Sequence, residues 1–253
     1  MDNREFNKNE NVIAGRNCVN EALRSGRELD SILIARGSRN GAIAAIIAKA
    51  RDRGIPVKEV DVKKLDFLCA GAVHQGIAAY CAVKEYSTVD DMFELAKERG
   101  EDPFIIVLDE IEDPHNLGAI IRTAECTGAH GVIIPKRRAS GLTYTVNKAS
   151  AGALEYMHVA RVTNIPAVID ELKERGLWVF GADMDGEEIY SSDLTGSVAI
   201  VVGGEGKGVG RLVREKCDKI VSLPMTGNVN SLNASVAAGV VMYEAVRQRK
   251  VGR

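Results

Sequence analysis

The chain has 253 residues, of which 45% are hydrophobic and 27% are charged, and its formal net charge is −2. These values are ordinary for a soluble globular protein of one large or two modest domains, and no apolar run approaches the ~20 residues of a membrane span. With so little net charge, a nucleic acid would have to meet local basic patches, for which the candidates are Lys136-Arg137-Arg138, Arg36 with Arg39, Lys63-Lys64 and Arg247-Gln248-Arg249-Lys250.

The first ten residues are polar and are expected to form a flexible tail. They lack the apolar segment of a signal peptide, so export is not expected. The cysteines are odd in number and widely spaced, which suits reduced thiols in the cytoplasm better than a disulfide framework or a zinc site: Cys18, Cys69, Cys81, Cys126 and Cys217. None of the four histidines belongs to a ligand pair, so no metal is predicted.

The first part of the chain alternates between helices and strands, which predicts a compact α/β domain over residues 11–84. Its predicted elements are helix 16–25, strand 31–35, helix 42–53, strand 57–60, helix 62–69 and strand 76–83. A polar segment and a charged helix at 90–99 follow and end at Gly100. Residues 85–100 are therefore predicted to link this domain to a second one.

Residues 101–253 repeat the alternation more regularly, which predicts a parallel sheet covered by helices on both faces. The predicted strands are 104–108, 132–134, 158–162, 178–182, one beginning at Val198, and 220–223; the predicted helices are 117–127, 143–151, 166–175, 210–216 and 231–249. Ligands bind such open sheets beyond the carboxyl ends of the strands. Chemistry is therefore expected in the segments that follow strands.

The strand at Val198 runs into a glycine cluster, Gly203-Gly204-Glu205-Gly206-Lys207-Gly208-Val209-Gly210. Glycines let backbone groups approach a ligand closely, so a binding loop is predicted, with a simple turn between strand and helix as the alternative. The spacing of these glycines does not match either of two known nucleotide-binding patterns. Val209 stands where the lysine of G-x-x-x-x-G-K-[ST] belongs, and Val209 or Arg211 stands where G-x-G-x-x-G needs its third glycine.

A polar segment after the strand at 104–108 opens a helix, in which Asn116 is a candidate N-cap. Arg122 lies about two turns farther along, among small and apolar residues. It either pairs with Asp109 or Asp113, or binds an anionic substrate. His115 is interpreted as a capping or turn residue rather than a base, because no carboxylate partner can be assigned to it.

The polar segment Ser231-Leu232-Asn233-Ala234-Ser235 enters the last predicted helix. Ser231 is a candidate helix cap, whereas Asn233 has weak helix propensity, which indicates a hydrogen-bonding role. Leu223, Met225 and Leu232 either line an apolar pocket for a ring or a thioether, or pack in the core.

Together these residues resemble the SpoU (TrmH-type) family of RNA ribose 2′-O-methyltransferases. Asn116 with Arg122 is similar to its first motif, residues 203–208 with Glu205 to its second, and residues 231–233 to its third. The preceding domain, through residues 11–16 and 73–76, resembles the substrate-binding domain of the large-subunit ribosomal RNA guanosine methyltransferase (RlmB-like) branch, a domain similar to small ribosomal proteins. Ala234 departs from the family, which often has a larger aliphatic residue there.

The resemblance implies an α/β chain with a small RNA-binding domain and a C-terminal knotted parallel-sheet SPOUT methyltransferase domain, S-adenosylmethionine as cofactor, and a cytoplasmic homodimer formed through the C-terminal domain, with no membrane or metal partner. The catalytic set it implies is Arg122, Asn116, Glu205, Ser231 and Asn233; the cofactor-binding set is Gly203, Gly204, Gly208, Leu223, Met225 and Leu232. The expected reaction is methylation of a ribose 2′-hydroxyl in ribosomal RNA, at a guanosine of the large-subunit RNA. A transfer RNA methyltransferase and a non-catalytic RNA-binding protein that keeps the fold are the alternatives, and the failed nucleotide patterns disfavour a nucleotide-dependent enzyme.

Overall fold

The computed structural model describes residues 11–38, 41–69, 73–82 and 84–251, so the predicted tail at residues 1–10 lies outside the described residues. In chain order the elements are β1 (Val12–Ala14), α1 (Arg16–Arg24), β2 (Leu29–Ala35), α2 (Gly41–Asp52), β3 (Val57–Val60), α3 (Val62–Leu68), β4 (Ile77–Cys81), α4 (Val89–Arg99), β5 (Phe104–Asp109), α5 (Pro114–Cys126), β6 (Gly131–Pro135), α6 (Tyr144–Ala149), β7 (Val159–Val162), α7 (Ile165–Glu174), β8 (Trp178–Glu188), β9 (Val198–Gly203), α8 (Arg211–Lys216), β10 (Lys219–Ser222) and α9 (Ala234–Val251). None of the helices in the described ranges is long and apolar enough to cross a membrane.

The chain forms two compact units: unit 1 comprises Met1–Glu85 with Leu142–Tyr156, and unit 2 comprises Tyr86–Gly141 with Met157–Arg253. These boundaries differ from the predicted ones in two places. Helix α4, expected in a linker, buries Met92 and Ala96 and so belongs to unit 2. The segment carrying α6 belongs to unit 1, where α6 packs against β1. Sequence order alone does not assign residues 142–156 to unit 1, because along the chain they lie between two segments of unit 2.

Unit 1 is built on a four-stranded sheet in the order β1-β4-β2-β3, in which β2 and β3 are parallel and the other pairs are antiparallel. Side chains of β2 alternate between two apolar clusters, with Ile32 and Ile34 in one and Leu33 and Ala35 in the other. The sheet is therefore covered on both faces. Strand β1, only three residues long, was not predicted.

Unit 2 contains a six-stranded sheet in the order β10-β8-β9-β5-β6-β7, and every neighbouring pair is parallel, which confirms the predicted parallel sheet. Strands β5 and β9 are buried along their whole length, as expected of continuous apolar runs in a parallel sheet. Asp109 at the end of β5 is in register with Gly203 at the end of β9. The segments that follow these two strands therefore begin side by side.

Strand β8 runs to Glu188, farther than the predicted end at residue 182. Its pairing with β10 shifts between Ile220, which pairs with Gly181, and Val221, which pairs with Glu187. Residues 182–186 are therefore skipped in the ladder with β10. They lie at the same end of the sheet as the glycine cluster.

Two predicted helix starts are wrong, and both corrections concern candidate site residues. Helix α5 begins at Pro114, and its N-cap is Asp113, whose carboxylate accepts the His115 N–H at 2.8 Å, so Asn116 is not the cap. Helix α9 begins at Ala234, and Asn233, not Ser231, supplies the cap. Its Oδ1 accepts the backbone N–H groups of Ser235 and Val236, at 3.0 and 3.3 Å.

Candidate active site

Side chains from the three sequence motifs meet in one hydrogen-bonded cluster in unit 2. Asn116 Nδ2 donates to Glu205 Oε1 at 3.0 Å, and Asn233 Nδ2 donates to the same oxygen at 2.7 Å. Asn233 Nδ2 also lies 3.0 Å from Asn116 Oδ1, which accepts from it. Two amides therefore fix one oxygen of the Glu205 carboxylate.

Local structure explains why these three side chains are held in place. Asn116 lies in the first turn of α5 and is 6% exposed, and α5 packs against α9. Asn233 caps α9 through Oδ1, which turns its Nδ2 towards the cluster. Glu205 is on the loop that leaves β9, and its other oxygen, Oε2, has no hydrogen-bond partner among the described residues. That oxygen is free to meet a ligand.

The glycine cluster forms a folded loop that requires glycine at particular positions. A Cβ on Gly203 would lie 2.0 Å from the carbonyl carbon of Gly208, and one on Gly204 would lie 2.5 Å from the Glu110 carbonyl oxygen. Gly208 has a φ of +63°, and its N–H donates to the Gly204 carbonyl at 3.1 Å. Residues 203–208 therefore turn back on themselves more tightly than a simple strand-to-helix turn requires.

A cavity of about 650 Å³ opens beside this loop. All six predicted cofactor-binding residues line it: Gly203, Gly204, Gly208, Leu223, Met225 and Leu232. Glu205, Ser231 and Asn233 line it too. The volume is that of a small-molecule site, and the wall combines apolar side chains with close backbone, which fits a nucleoside-sized ligand with an apolar extension.

Several residues of this wall were not predicted. Ala182, Asp183 and Met184 come from the end of β8, and Ala237 and Val241 come from α9. Nothing in the sequence marked Asp183, because strand β8 was predicted to end before it.

A second cavity of about 720 Å³ lies on the α5 side of the glycine loop. Its wall includes Asp109, Asn116, Glu205 and Lys207. Burial raises the pKa of the Asp109 carboxyl, an effect opposed by the Gly210 N–H, which donates to Asp109 Oδ2 at 2.8 Å. Glu205 and the loop thus border both cavities, so ligands in the two would approach each other at the Asn116–Glu205 contact.

Two predicted catalytic residues, Ser231 and Arg122, lie outside the hydrogen-bonded cluster, and Arg122 also lies outside both cavities. It is exposed on α5 and forms no ion pair with any described residue. Pairing with Asp109 or Asp113 is therefore not formed, and the two carboxylates accept the backbone N–H groups of Gly210 and His115 instead. Ser231 lines the first cavity and is exposed. Among the described residues, no group of His, Cys, Asp or Glu side chains is arranged to hold a metal ion.

Comparisons with known proteins assign nearly the whole chain to two family domains. The family described as SpoU rRNA Methylase matches residues 103–243, and the domain described as RNA 2′-O ribose methyltransferase substrate binding matches residues 12–87. A relative from Bacillus subtilis (strain 168), named as the TrmH family tRNA/rRNA methyltransferase YacO, is 50% identical over 238 residues, which are 94% of this chain and 95% of that protein.

Two solved structures are also similar. The SpoU methyltransferase AviRb from Streptomyces viridochromogenes, in complex with AdoMet, has a TM-score of 0.78 and 24% identity and covers 96% of this chain and 91% of its own. A second structure, described as giving structural insights into the 2-OH methylation of C/U34 on tRNA, has a TM-score of 0.55 and 28% identity. The match covers 60% of this chain and 99% of that chain.

Fold and site define an α/β protein with a cavity of small-molecule size at the carboxyl end of a parallel sheet, beside a glycine loop and a hydrogen-bonded carboxylate. The family match spans more than half of the chain, and half of the residues are identical in a relative matched over nearly its whole length. The chain belongs to the SpoU (TrmH-type) family of RNA 2′-O-ribose methyltransferases.

Proposed function

We propose that the chain transfers the methyl group of S-adenosylmethionine to a ribose 2′-hydroxyl of ribosomal RNA, at a guanosine of the large-subunit RNA. The observation that carries the proposal is the cluster of Asn116, Glu205 and Asn233 where two cavities border the same glycine loop. A group-transfer enzyme needs such a junction, because donor and acceptor must be held in contact.

S-adenosylmethionine supplies an activated methyl group, so the protein has to align the acceptor and remove one proton. Backbone groups of Gly203, Gly204 and Gly208 hold the cofactor in the first cavity, and Leu223, Met225 and Leu232 form its apolar walls. The SpoU methyltransferase AviRb, which is described in complex with AdoMet, supports the choice of this cofactor. The acceptor nucleoside enters the second cavity, and Glu205 lies between the two.

Arg122 acts on the acceptor rather than on the cofactor in this proposal. A guanidinium has a pKa above ~12 and has no acceptor atom in its charged form, so Arg122 is not the base. Its exposed, unpaired side chain binds an RNA phosphate and stabilises the developing alkoxide. The proton passes to a phosphate oxygen, to water, or to the Glu205 carboxylate. Ser231 lines the first cavity together with Glu205.

Unit 1 is proposed to hold the ribosomal RNA. On α3, Lys63 and Lys64 lie one helical turn before Phe67, whose side chain is 81% exposed. An exposed aromatic ring beside two lysines suits an unpaired RNA base and its phosphate. The structure described for transfer RNA covers only 60% of this chain, so the additional domain favours a different and larger substrate over transfer RNA.

A homodimer formed through unit 2, and a knot in that unit, are also proposed. Helix α9 exposes Val236, Val240 and Tyr243 at a spacing that places them on one face, and Tyr243 is 55% exposed. A second copy of the chain would cover this apolar stripe. The five free cysteines suit the reducing cytoplasm in which the enzyme is proposed to act.

The test is to map 2′-O-methylation in ribosomal and transfer RNA from cells with and without this protein, and to restore the lost mark with purified enzyme, S-adenosylmethionine and unmodified RNA. We expect one large-subunit guanosine to lose its methyl group. A lost mark in transfer RNA would contradict the substrate assignment. No lost mark, together with no transfer in vitro, would support the non-catalytic alternative.

A further inference from the structure

The wall of the 650 Å³ cavity contains a carboxylate that belongs to none of the three motifs. Asp183 follows the last residues of β8 that pair with β9, where the ladder with β10 is also interrupted. Its side chain is 16% exposed. The Met184 N–H donates to Asp183 Oδ1 at 2.7 Å, which fixes the carboxylate at the cavity.

The glycine loop approaches this carboxylate closely. A Cβ added to Gly208 would lie 3.0 Å from Asp183 Oδ2. Gly208 is one of the residues proposed to hold the cofactor through its backbone. Any ligand bound along the loop therefore has Asp183 as a near neighbour.

The nearest cation does not cancel the charge of Asp183. Arg214 Nη1 lies 3.2 Å from Asp183 Oδ2 but only 2.7 Å from Asp185 Oδ1, so one guanidinium serves two carboxylates. The shorter contact is to Asp185, and the Arg214 hydrogen bond lowers the pKa of that carboxyl. Asp185 is 71% exposed and does not line the cavity. Two carboxylates and one guanidinium carry a net charge of −1. Of these three side chains, the one that lines the cavity is Asp183.

The other charged side chains that line the cavity, Glu205 and Lys207, differ from Asp183 in position or in exposure. Glu205 is held by two amides and borders the acceptor side as well. Lys207 is 82% exposed, so solvent screens its charge. Asp183 is thus the carboxylate of the wall that is both largely withdrawn from solvent and placed on the cofactor side alone.

On the basis of the proposed use of S-adenosylmethionine, we infer that Asp183 binds the positively charged sulfonium end of the methyl donor and makes the cavity prefer the donor over its product. During transfer the S–CH₃ bond breaks, the sulfur keeps the electron pair, and the product is a neutral thioether. A carboxylate that attracts the sulfonium loses this attraction once the methyl group has left. Asp183 therefore favours exchange of product for fresh donor.

The test measures binding rather than turnover. Dissociation constants of S-adenosylmethionine, S-adenosylhomocysteine and sinefungin are measured by titration calorimetry for the full-length wild type, Asp183→Asn and Glu187→Gln. Sinefungin carries a protonated amine in place of the sulfonium methyl, so two of the three probes are cationic there and one is neutral. Glu187→Gln is the matched control, since it removes an exposed carboxylate of the same strand that pairs with Lys219 and does not line the cavity.

We expect Asp183→Asn to weaken both cationic ligands about fivefold or more while S-adenosylhomocysteine changes less than twofold, and Glu187→Gln to change none of them. Undiminished binding of the neutral ligand also shows that the variant is folded. Equal weakening of all three ligands, or no weakening of any, would overturn the inference. If the wild type itself binds neither S-adenosylmethionine nor its product, the proposed function fails and the inference fails with it.

Discussion

Asn116 and Glu205, 89 residues apart in the chain, are joined by a hydrogen bond of 3.0 Å, and Asn233 donates to the same carboxylate oxygen at 2.7 Å. The contact joins the first turn of α5 to the loop after β9. It is possible because β5 and β9 are neighbouring parallel strands that end in register at Asp109 and Gly203.

Breaking this cluster should impair transfer more than folding. Glu205 is exposed, so Glu205→Ala should change the unfolding free energy by less than about 1 kcal/mol. Methyl transfer should fall on the order of a hundredfold, because the acceptor loses an aligned carboxylate. Glu205→Gln keeps an oxygen for both amides but no charge. Rates with tritiated S-adenosylmethionine distinguish the two roles: recovery by Gln indicates alignment, and no recovery indicates the charge.

Arg122 should affect RNA and turnover but not the cofactor. It lies on α5 outside the cofactor cavity and has no ion-pair partner among the described residues. We expect Arg122→Ala to lower kcat/KM on the order of a hundredfold and Arg122→Lys to recover only part of it, because lysine cannot bind a phosphate through two parallel donors. The dissociation constant of S-adenosylmethionine serves as the control and should change less than twofold. Unchanged turnover and unchanged RNA affinity in Arg122→Lys would contradict the assignment.

Gly203 should tolerate no side chain. Gly203→Ala places a Cβ 2.0 Å from the Gly208 carbonyl carbon, so the loop must move. We expect the unfolding free energy to fall by about 2 kcal/mol or more and cofactor binding to be lost. Gly227→Ala is the matched control, since a Cβ there meets nothing within 4 Å and should be close to neutral. Urea unfolding and calorimetry measure both effects, and cofactor binding retained by Gly203→Ala would contradict the proposed role of the loop.

The patch on α3 should contribute to RNA binding alone. Replacing Phe67 by Ala should weaken binding to a single-stranded RNA by about 1–3 kcal/mol, the range found for loss of one stacked base. Replacing Lys63 and Lys64 by Ala should weaken it further and reduce its salt dependence. Lys58→Ala, an exposed lysine of β3, is the control. Fluorescence anisotropy measures the affinities; a patch variant that binds as the wild type does would exclude α3 as an RNA contact.

Lys84 predicts a pH dependence of stability. Its Nζ donates to the Leu154 carbonyl oxygen, and burial lowers its pKa to about 8. In the unfolded chain a lysine titrates near 10.4, so between about pH 8 and 10.4 the unfolded state binds more protons and the stability of the wild type rises with pH. Lys84→Met should therefore be the more stable protein at pH 7, by about 1–2 kcal/mol.

This difference in unfolding free energy should shrink as the pH rises from 8 to about 10, because the wild type then folds without a buried charge. Urea unfolding at three pH values measures it, with Lys58→Met as an exposed control whose effect should not vary with pH. A constant difference for Lys84→Met across the range would contradict the lowered pKa.

Much of the fold follows from local pattern. The apolar runs of β5 and β9 predicted buried parallel strands, and most helices were located within a few residues of their positions. Helix ends were harder, because more than one residue near each start was able to cap. At α5 Pro114 favours a start three residues before the predicted one at Leu117, with Asp113 as its cap, and at α9 the cap is Asn233. Because Asn116 does not cap α5, its side-chain amide is available to bond Glu205. Because Asn233 caps α9 through Oδ1, its Nδ2 is directed to the same carboxylate.

The sequence by itself determined the parallel α/β class of unit 2 and the glycine loop, because apolar periodicity and glycine spacing are local properties of the chain. The six residues proposed to bind the cofactor, all of which line the 650 Å³ cavity, came from the resemblance of its motifs to the family. Tertiary structure alone decided that α6 belongs to unit 1, that Asp183 reaches the cavity, and that two amides meet one oxygen of Glu205. Each of these depends on which strands are neighbours and in what register. That arrangement is fixed by packing between residues far apart in the chain, and no local pattern encodes it.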